Sequence, residues 1–219
     1  MKTPVKNTLK GLVLFLCSVT GANAGSVDLV AKNFQPIIFD DIPQTNYQFK
    51  DGQLTAKVRS SSSVLMMPFD KIKPVKEISL KWKLNQGDLK ITSLATHKEK
   101  KGDDSLFRVG LLIHGDAPSI PFFAPAWIKK SSKILKLPSE TLTYFFVSPL
   151  AKGGETWESP YSSSINNIAG RSTKQDGGWY ETKHQFAKAQ KLVGIWLLAD
   201  GDNSKSDFEI AVRDLKLLP

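Results

Sequence analysis

The chain has 219 residues, 41% of them hydrophobic, and a formal net charge of +9 that falls to +6 once Lys2, Lys6 and Lys10 are removed with the leader segment. Its only cysteine, Cys17, lies in that leader, which excludes disulfides, cysteine nucleophiles and zinc ribbons from the rest of the chain. The basic excess is spread thinly, with short clusters at Lys98-Glu-Lys-Lys101 and Lys129-Lys130; this argues against a nucleic-acid stripe and leaves attraction to an anionic envelope surface or acidic polysaccharide open.

Lys2, Lys6 and Lys10 precede a short apolar stretch, Gly11 to Val19, and Ala22-Asn23-Ala24 supplies the small residues of a signal-peptidase site. Residues 1–24 therefore read as a cleaved secretory signal, and residues 25–219 as one domain in the periplasm or outside the cell. The apolar stretch is too short to span a bilayer as a helix, so no transmembrane segment is expected after cleavage. Leu16 is larger than the residue a lipoprotein-type cleavage before Cys17 requires, which argues against a lipid anchor.

Phe34 to Asp41 is predicted as the first strand, with Pro36 at an edge or bend. Tyr47-Gln-Phe-Lys50 and Gln53-Leu-Thr-Ala-Lys-Val58 alternate around Asp51-Gly52, the preferred dipeptide of a type I′ turn, so a hairpin with positive φ at both turn residues is expected. Val64 to Phe69 reads as a short strand ended by Pro68. Ile78, Leu80, Trp82 and Leu84 share one parity and one core-facing side. Asn85 to Asp104 reads as a polar loop, and Phe107 to His114 and Thr141 to Val147 as strands. Between those strands, Pro118 to Pro138 holds Phe122, Phe123, Trp127 and Ile128 beside Lys129 and Lys130, and is expected to be a loop or short helix folded over one end. Gly153 to Ser164 reads as a loop carrying Trp157 and Tyr161. Ser164 to Ala169 is expected to be a short strand, and Gly177-Gly178 a turn before a strand from Trp179 to Phe186. The apolar run Leu192 to Ala199 suits a strand buried on both faces, followed by turn chemistry in Asp200-Gly-Asp-Asn203. Phe208 to Leu217 changes parity between Val212 and Leu215, which a bulge at Arg213-Asp214 would absorb. Nine or ten short strands predict an all-β, antiparallel sandwich or barrel with long loops and at most short helices.

Asp103, Asp104, Asp200 and Asp202 stand at strand ends. If their loops share a rim, these carboxylates and Asn203 offer the hard oxygen ligands that Ca²⁺ prefers. The alternative is that they cap turns, with Arg108 neutralising Asp104; on that reading no cofactor is needed. His97, His114 and His184 lack metal-ligand spacing, and no GxSxG elbow, P-loop or GxGxxG fingerprint is present. Trp82 and Trp196 read as core. Trp127, Trp157, Tyr161 and Trp179 lie in or beside loops, where a ring either stacks on a sugar or packs the loop onto the core.

The order Gly87-Asp88, Lys101-Gly-Asp-Asp104 with Arg108, Thr143-Tyr144, Trp157 to Tyr161, Gly178-Trp179 and Ala199-Asp-Gly-Asp-Asn-Ser204 resembles the exported bacterial domain-of-unknown-function family numbered 3047. The resemblance runs from about Phe34 to Leu217. It implies a jelly-roll architecture similar to galactose-binding-like, carbohydrate-binding modules. Lys183-His184 stand where the family has an Arg-Asn pair, and Phe186 runs almost directly into Leu192 where the family has a helical segment.

The resulting expectation is a non-enzymatic binding module for an envelope or extracellular glycan. Its ligand residues are drawn from Asp103, Asp104, Arg108, Trp157, Tyr161, Trp179, Asp200, Asp202 and Asn203. A polysaccharide hydrolase or lyase using the loop carboxylates, and an envelope scaffold binding another protein, are the alternatives. Nothing in the chain dictates a reaction.

Overall fold

A computed structural model describes residues 25–91, 93–116, 119–120, 122–148 and 150–219. The expected signal, residues 1–24 with Cys17, lies outside the described residues, as does Pro118. In chain order the strands are β1 (Gln35–Ile38), β2 (Asn46–Lys50), β3 (Gln53–Arg59), β4 (Ser63–Asp88), β5 (Ser105–His114), β6 (Ser139–Val147), β7 (Thr156–Ser159), β8 (Ser162–Ala169), β9 (Arg171–Lys174), β10 (Tyr180–Asp200) and β11 (Asp207–Leu218). Helix α1 (Leu94–His97) precedes β5, and helix α2 (Ala126–Ile134) precedes β6.

These strands bond into one sheet in the order β2-β3-β11-β4-β10-β5-β6-β8-β7, with β1 added to β4 and β9 to β10. At 26 and 21 residues, β4 and β10 are long enough to serve two layers. The second half of β4 pairs with the first half of β10 and with β11; its first half pairs with β1 and the end of β10. The sheet thereby folds over on itself as a sandwich. Leu54, Val58, Phe208 and Ile210 from one layer meet Phe107, Val109, Phe145, Ile195 and Leu197 from the other in the main core.

The all-β sandwich expected from the sequence is present, and several boundaries are corrected. Val64–Phe69 and Ile78–Leu84 belong to the single strand β4, uninterrupted by Pro68 or Pro74. Both prolines fall between Met66, where pairing with β1 ends, and Glu77, where pairing with β11 begins. That stretch is paired on one side only, where a residue without an N–H is tolerated. Asn85 to Asp88 extend β4, and α1 occupies part of the expected loop. Residues 153–164 contain β7 and the start of β8 rather than only a loop. One pair, β6 with β8, is parallel and departs from a purely antiparallel sheet. Phe186 and Leu192 lie in one strand, with a register shift between Gln185 and Gln190.

Two local expectations hold as stated. Asp51 and Gly52 have φ of 51° and 73°, joining β2 to β3 through the Lys50–Gln53 pair. The register of β11 on β4 shifts between Arg213 and Lys216, with Asp214 at φ 54°. Among the described residues no helix is long and apolar enough to cross a membrane.

The layer containing β5, β6 and β10 is apolar on its outer face as well. Ile37, Val64, Met66, Leu112, Leu142, Phe146, Val193 and Trp196 form a second cluster there. Helix α2 lies over it, with Trp127 edge-on to Phe39 and Trp196 at 5.6 and 6.1 Å between ring centres. Ser131, one turn after Trp127, is buried and bonds the Trp127 carbonyl at 2.7 Å.

Candidate functional site

Strand alternation places Arg108 between the core residues Phe107 and Val109 with its side chain on the outer face, where it is 2% exposed. Opposite, Leu198 pairs with Arg108 and Asp200 with Ser105, and the register shift between them turns Ser105 toward the guanidinium. Arg108 Nε donates to Ser105 Oγ at 3.0 Å, Nη1 to Asp103 Oδ1 at 3.4 Å, and Nη2 to the Asp103 carbonyl and Asp200 Oδ2 at 2.5 Å each. The guanidinium carbon also lies 4.9 Å from the ring centres of Tyr144 and Phe146. These bonds and ring contacts offset the loss of hydration that a buried arginine suffers.

The backbone before Asp200 is held from the start of β2 and the residue before it, across the sandwich. Thr45 Oγ1 donates to the Ala199 carbonyl at 3.1 Å, and the Ala199 N–H donates to the Tyr47 hydroxyl at 3.0 Å. Asp104 then fixes the following turn. Its Oδ1 accepts from the N–H and Nδ2 of Asn203 at 3.2 and 3.1 Å; its Oδ2 accepts from the N–H and Oγ of Ser204 at 2.6 and 2.5 Å. The two acidic loops therefore meet on one rim. Arg108, however, neutralises Asp103 and Asp200 rather than Asp104, because the Asp104 oxygens already serve four donors in the turn.

Asp104, Asp200 and Asp202 each offer one oxygen within 4.8 Å of the others, the gathering a hard cation such as Ca²⁺ would use; Asp103 stands outside that group. Asp104 is the poorest ligand of the three, since both its oxygens are engaged. The local charge is lopsided, with one guanidinium among four carboxylates. Burial pushes the Asp200 carboxyl well above its usual range against the pull of Arg108, and the adjacent Asp202 adds to the rise. Burial raises Asp103 as well, again opposed by Arg108. Burial also disfavours the Arg108 charge, but Asp103 and Asp200 outweigh it and hold the guanidinium protonated. Buried His97 lies edge-on to Phe146 at 5.2 Å with Nδ1 3.2 Å from the Gly102 carbonyl; burial, then Arg108, lowers its pKa to about 4.

A cleft of about 490 Å³ opens over this cluster. Asp103, Arg108, Asp200, Asp202 and Asn203 form one end, Tyr144, Trp196 and Leu198 form the floor, and Trp127, Ser159 and Tyr161 close the sides. Gly110 keeps the floor low: a Cβ there would come within 3.0 Å of both Leu142 Cδ1 and Trp196 Cβ. Two polar atoms on lining residues, Asp200 Oδ1 and Trp196 Nε1, are buried without a protein partner. An unpaired buried group costs about 1–3 kcal/mol, so such atoms mark places where another donor or acceptor belongs.

Of the residues singled out from the sequence, Asp103, Arg108, Tyr161, Asp200, Asp202 and Asn203 line the cleft, and Asp104 organises its rim. Trp157 and Trp179 do not line it. Trp157 sits on β7 against Phe146 and His97 at 5.3 and 5.6 Å, as part of the outer cluster. Trp179 precedes β10 at its other end, with the Arg213 guanidinium 4.0 Å from its ring centre. Tyr144, Trp196 and His97 were not expected at a site. Parity puts Trp196, Leu198 and Asp200 on one face of their strand and Tyr144 and Phe146 on one face of theirs, without marking that face as a cleft, and no pattern in the sequence points to His97.

Residues 32–216 match the family model described as "Protein of unknown function (DUF3047)". No curated protein matches the chain.

Proposed function

Because the chain belongs to the DUF3047 family, whose description brings no chemistry with it, we propose from the geometry alone that the protein binds a saccharide of an envelope or extracellular glycan in the cleft beside Arg108, without acting on it. What supports this reading is the pairing state of the cleft. It holds one unpartnered carboxyl oxygen, Asp200 Oδ1, and one unpartnered donor, Trp196 Nε1, between the aromatic walls of Trp127, Trp196 and Tyr161. A sugar hydroxyl both donates and accepts, and a pyranose ring has an apolar face that packs on an aromatic ring. Both atoms are buried, so the ligand reaches them only where lining side chains give way, and Tyr161, 54% exposed, is the most exposed ring of that lining. Four carboxylates around one arginine favour a neutral sugar over an acidic one.

Arg108 engages Asp103 and Asp200, so the buried carboxyl groups beside it are not the free acid–base pair that glycoside hydrolysis requires, which favours binding over cleavage; Asp40 is the other carboxyl group on the lining apart from Asp202. A glycan array screened with residues 25–219, followed by calorimetry on the best saccharide, tests the reading. Asp200→Asn and Trp127→Ala should each weaken binding by roughly tenfold or more, about one lost contact of 1.4 kcal/mol, with the far-ultraviolet circular dichroism and a cooperative unfolding transition retained. Unchanged binding in both variants would sink the proposal, and release of shortened glycan would make the protein a hydrolase instead.

A further inference from the structure

The segment that closes the cleft also carries the most exposed apolar side chains among the described residues. Phe122 is 95% and Phe123 88% exposed, far beyond any other large apolar side chain. Immediately after them, α2 turns Trp127, Ser131 and Ile134 toward the sheet and Lys129, Lys130 and Lys133 away from it, a spacing that places three cations on one helix face. Lys129 joins the two features: its Nζ donates to the Phe122 carbonyl at 2.5 Å and lies 5.4 Å from the Phe122 ring centre. From Phe122 to Ser139 there is no acidic residue. Among the described residues Lys129, Lys130 and Lys133 enter no ion pair, whereas Lys136 pairs with Asp70 at 2.5 Å.

Two adjacent rings in water contribute nothing to the fold, and a surface of this kind marks a contact with something else. The chemistry of the rim selects the partner. A second copy meeting the first through this patch would set lysines against the same lysines, because a two-fold contact is self-complementary. A bilayer with anionic headgroups instead offers phosphates to each ammonium and an acyl boundary to the rings. We propose that Phe122, Phe123 and the lysine face of α2 form a docking surface for an anionic lipid bilayer. The surface is separate from the cleft lining and stands independently of the saccharide reading.

The test is co-sedimentation of residues 25–219, from which the whole sandwich is built, with vesicles of phosphatidylcholine alone or of equimolar phosphatidylcholine and phosphatidylglycerol. The protein should pellet with the mixed vesicles and not with phosphatidylcholine, and added salt should release it as the lysines are screened. Phe122→Ser with Phe123→Ser, and separately Lys130→Glu with Lys133→Glu, should each lower the partition by roughly tenfold or more, with the melting temperature unchanged at these exposed positions. Equal pelleting with both vesicle types, or wild-type partition in both variants, would overturn the proposal. So would absence of vesicle binding together with self-association that the phenylalanine variant abolishes, which would assign the patch to a second copy.

Discussion

On the inner face of β5 and β10, Phe107, Val109, Ile195 and Leu197 are buried in the main hydrophobic core, whereas one residue along each strand, on the outer face, Arg108, Trp196 and Asp200 gather charge, unpaired polar atoms and open volume. Both faces are buried by the same backbone. The inner one is closed by a second layer of the sheet, whose pleat fits it; the outer one is closed by a nine-residue helix and a short hairpin, which cannot cover it completely. Incomplete cover is what leaves room for a ligand, and the polar residues stand where that room is.

The largest effects should separate the faces by mechanism. Phe107→Ala opens a cavity and should cost about 3–5 kcal/mol at any pH, measured by chemical denaturation. Arg108→Ala should cost about as much, on the order of 3–5 kcal/mol, but through stranding Asp103 and Asp200. Its cost should therefore shrink in acid, where those carboxyls take up protons, and Arg108→Met should be about as damaging as Arg108→Ala. A pH-independent Arg108→Ala penalty would erase the distinction.

His97 supplies the next effect. Its folded pKa is lowered from 6.5 to about 4, so the neutral ring contributes stability that is complete above pH 6.5 and lost as the pH falls toward 4. The stability gap between wild type and His97→Gln should narrow by on the order of 3 kcal/mol across that window. Asp103 and Asp200, whose pKa values are raised, work in the opposite sense, since their contribution is complete at low pH and lost as the pH rises; they are common to both proteins and cancel in the gap.

Far from either face, Gly52→Val should cost about 1–2 kcal/mol, because the residue has φ 73° and a Cβ would find open space, leaving left-handed strain as the whole penalty. The smallest effect expected is that of a chelator. With the Asp104 oxygens engaged by Asn203 and Ser204, EDTA should leave the melting temperature unchanged. A fall reversed by calcium would instead assign a cation to Asp104, Asp200 and Asp202, which at a hundredfold excess over Kd is worth about 2.7 kcal/mol.

The acidic rim could be read from the sequence because turn chemistry is local: Asp-Gly-Asp-Asn and Asp103-Asp104 declare strand ends, and Arg108 lies within reach of one of them. The floor of the cleft could not. Trp196 alternates with core residues on a strand buried on both sides, and parity does not say which face is a closed core and which is a covered cleft. Trp157 and Tyr161 look alike in a Gly/Ser-rich stretch, yet β7 turns Trp157 into the outer cluster and leaves Tyr161 at the turn beside the cleft. The long β4 was hidden by Pro68, since a proline ends a strand that is paired on both sides but not a stretch paired on one.

Five tryptophans make the central claim directly measurable by their indole N–H signals in nuclear magnetic resonance. Trp82 Nε1 already donates to Thr182 Oγ1 at 2.8 Å in the other layer and serves as the internal reference, whereas Trp196 Nε1 has no partner. Titrating the saccharide selected on the array should shift the Trp196 and Trp127 indole signals together, at one common affinity, and leave Trp82 and Trp179 in place. Shifts confined to Trp179, or binding with Trp196 and Trp127 unmoved, would contradict a ligand site over Arg108.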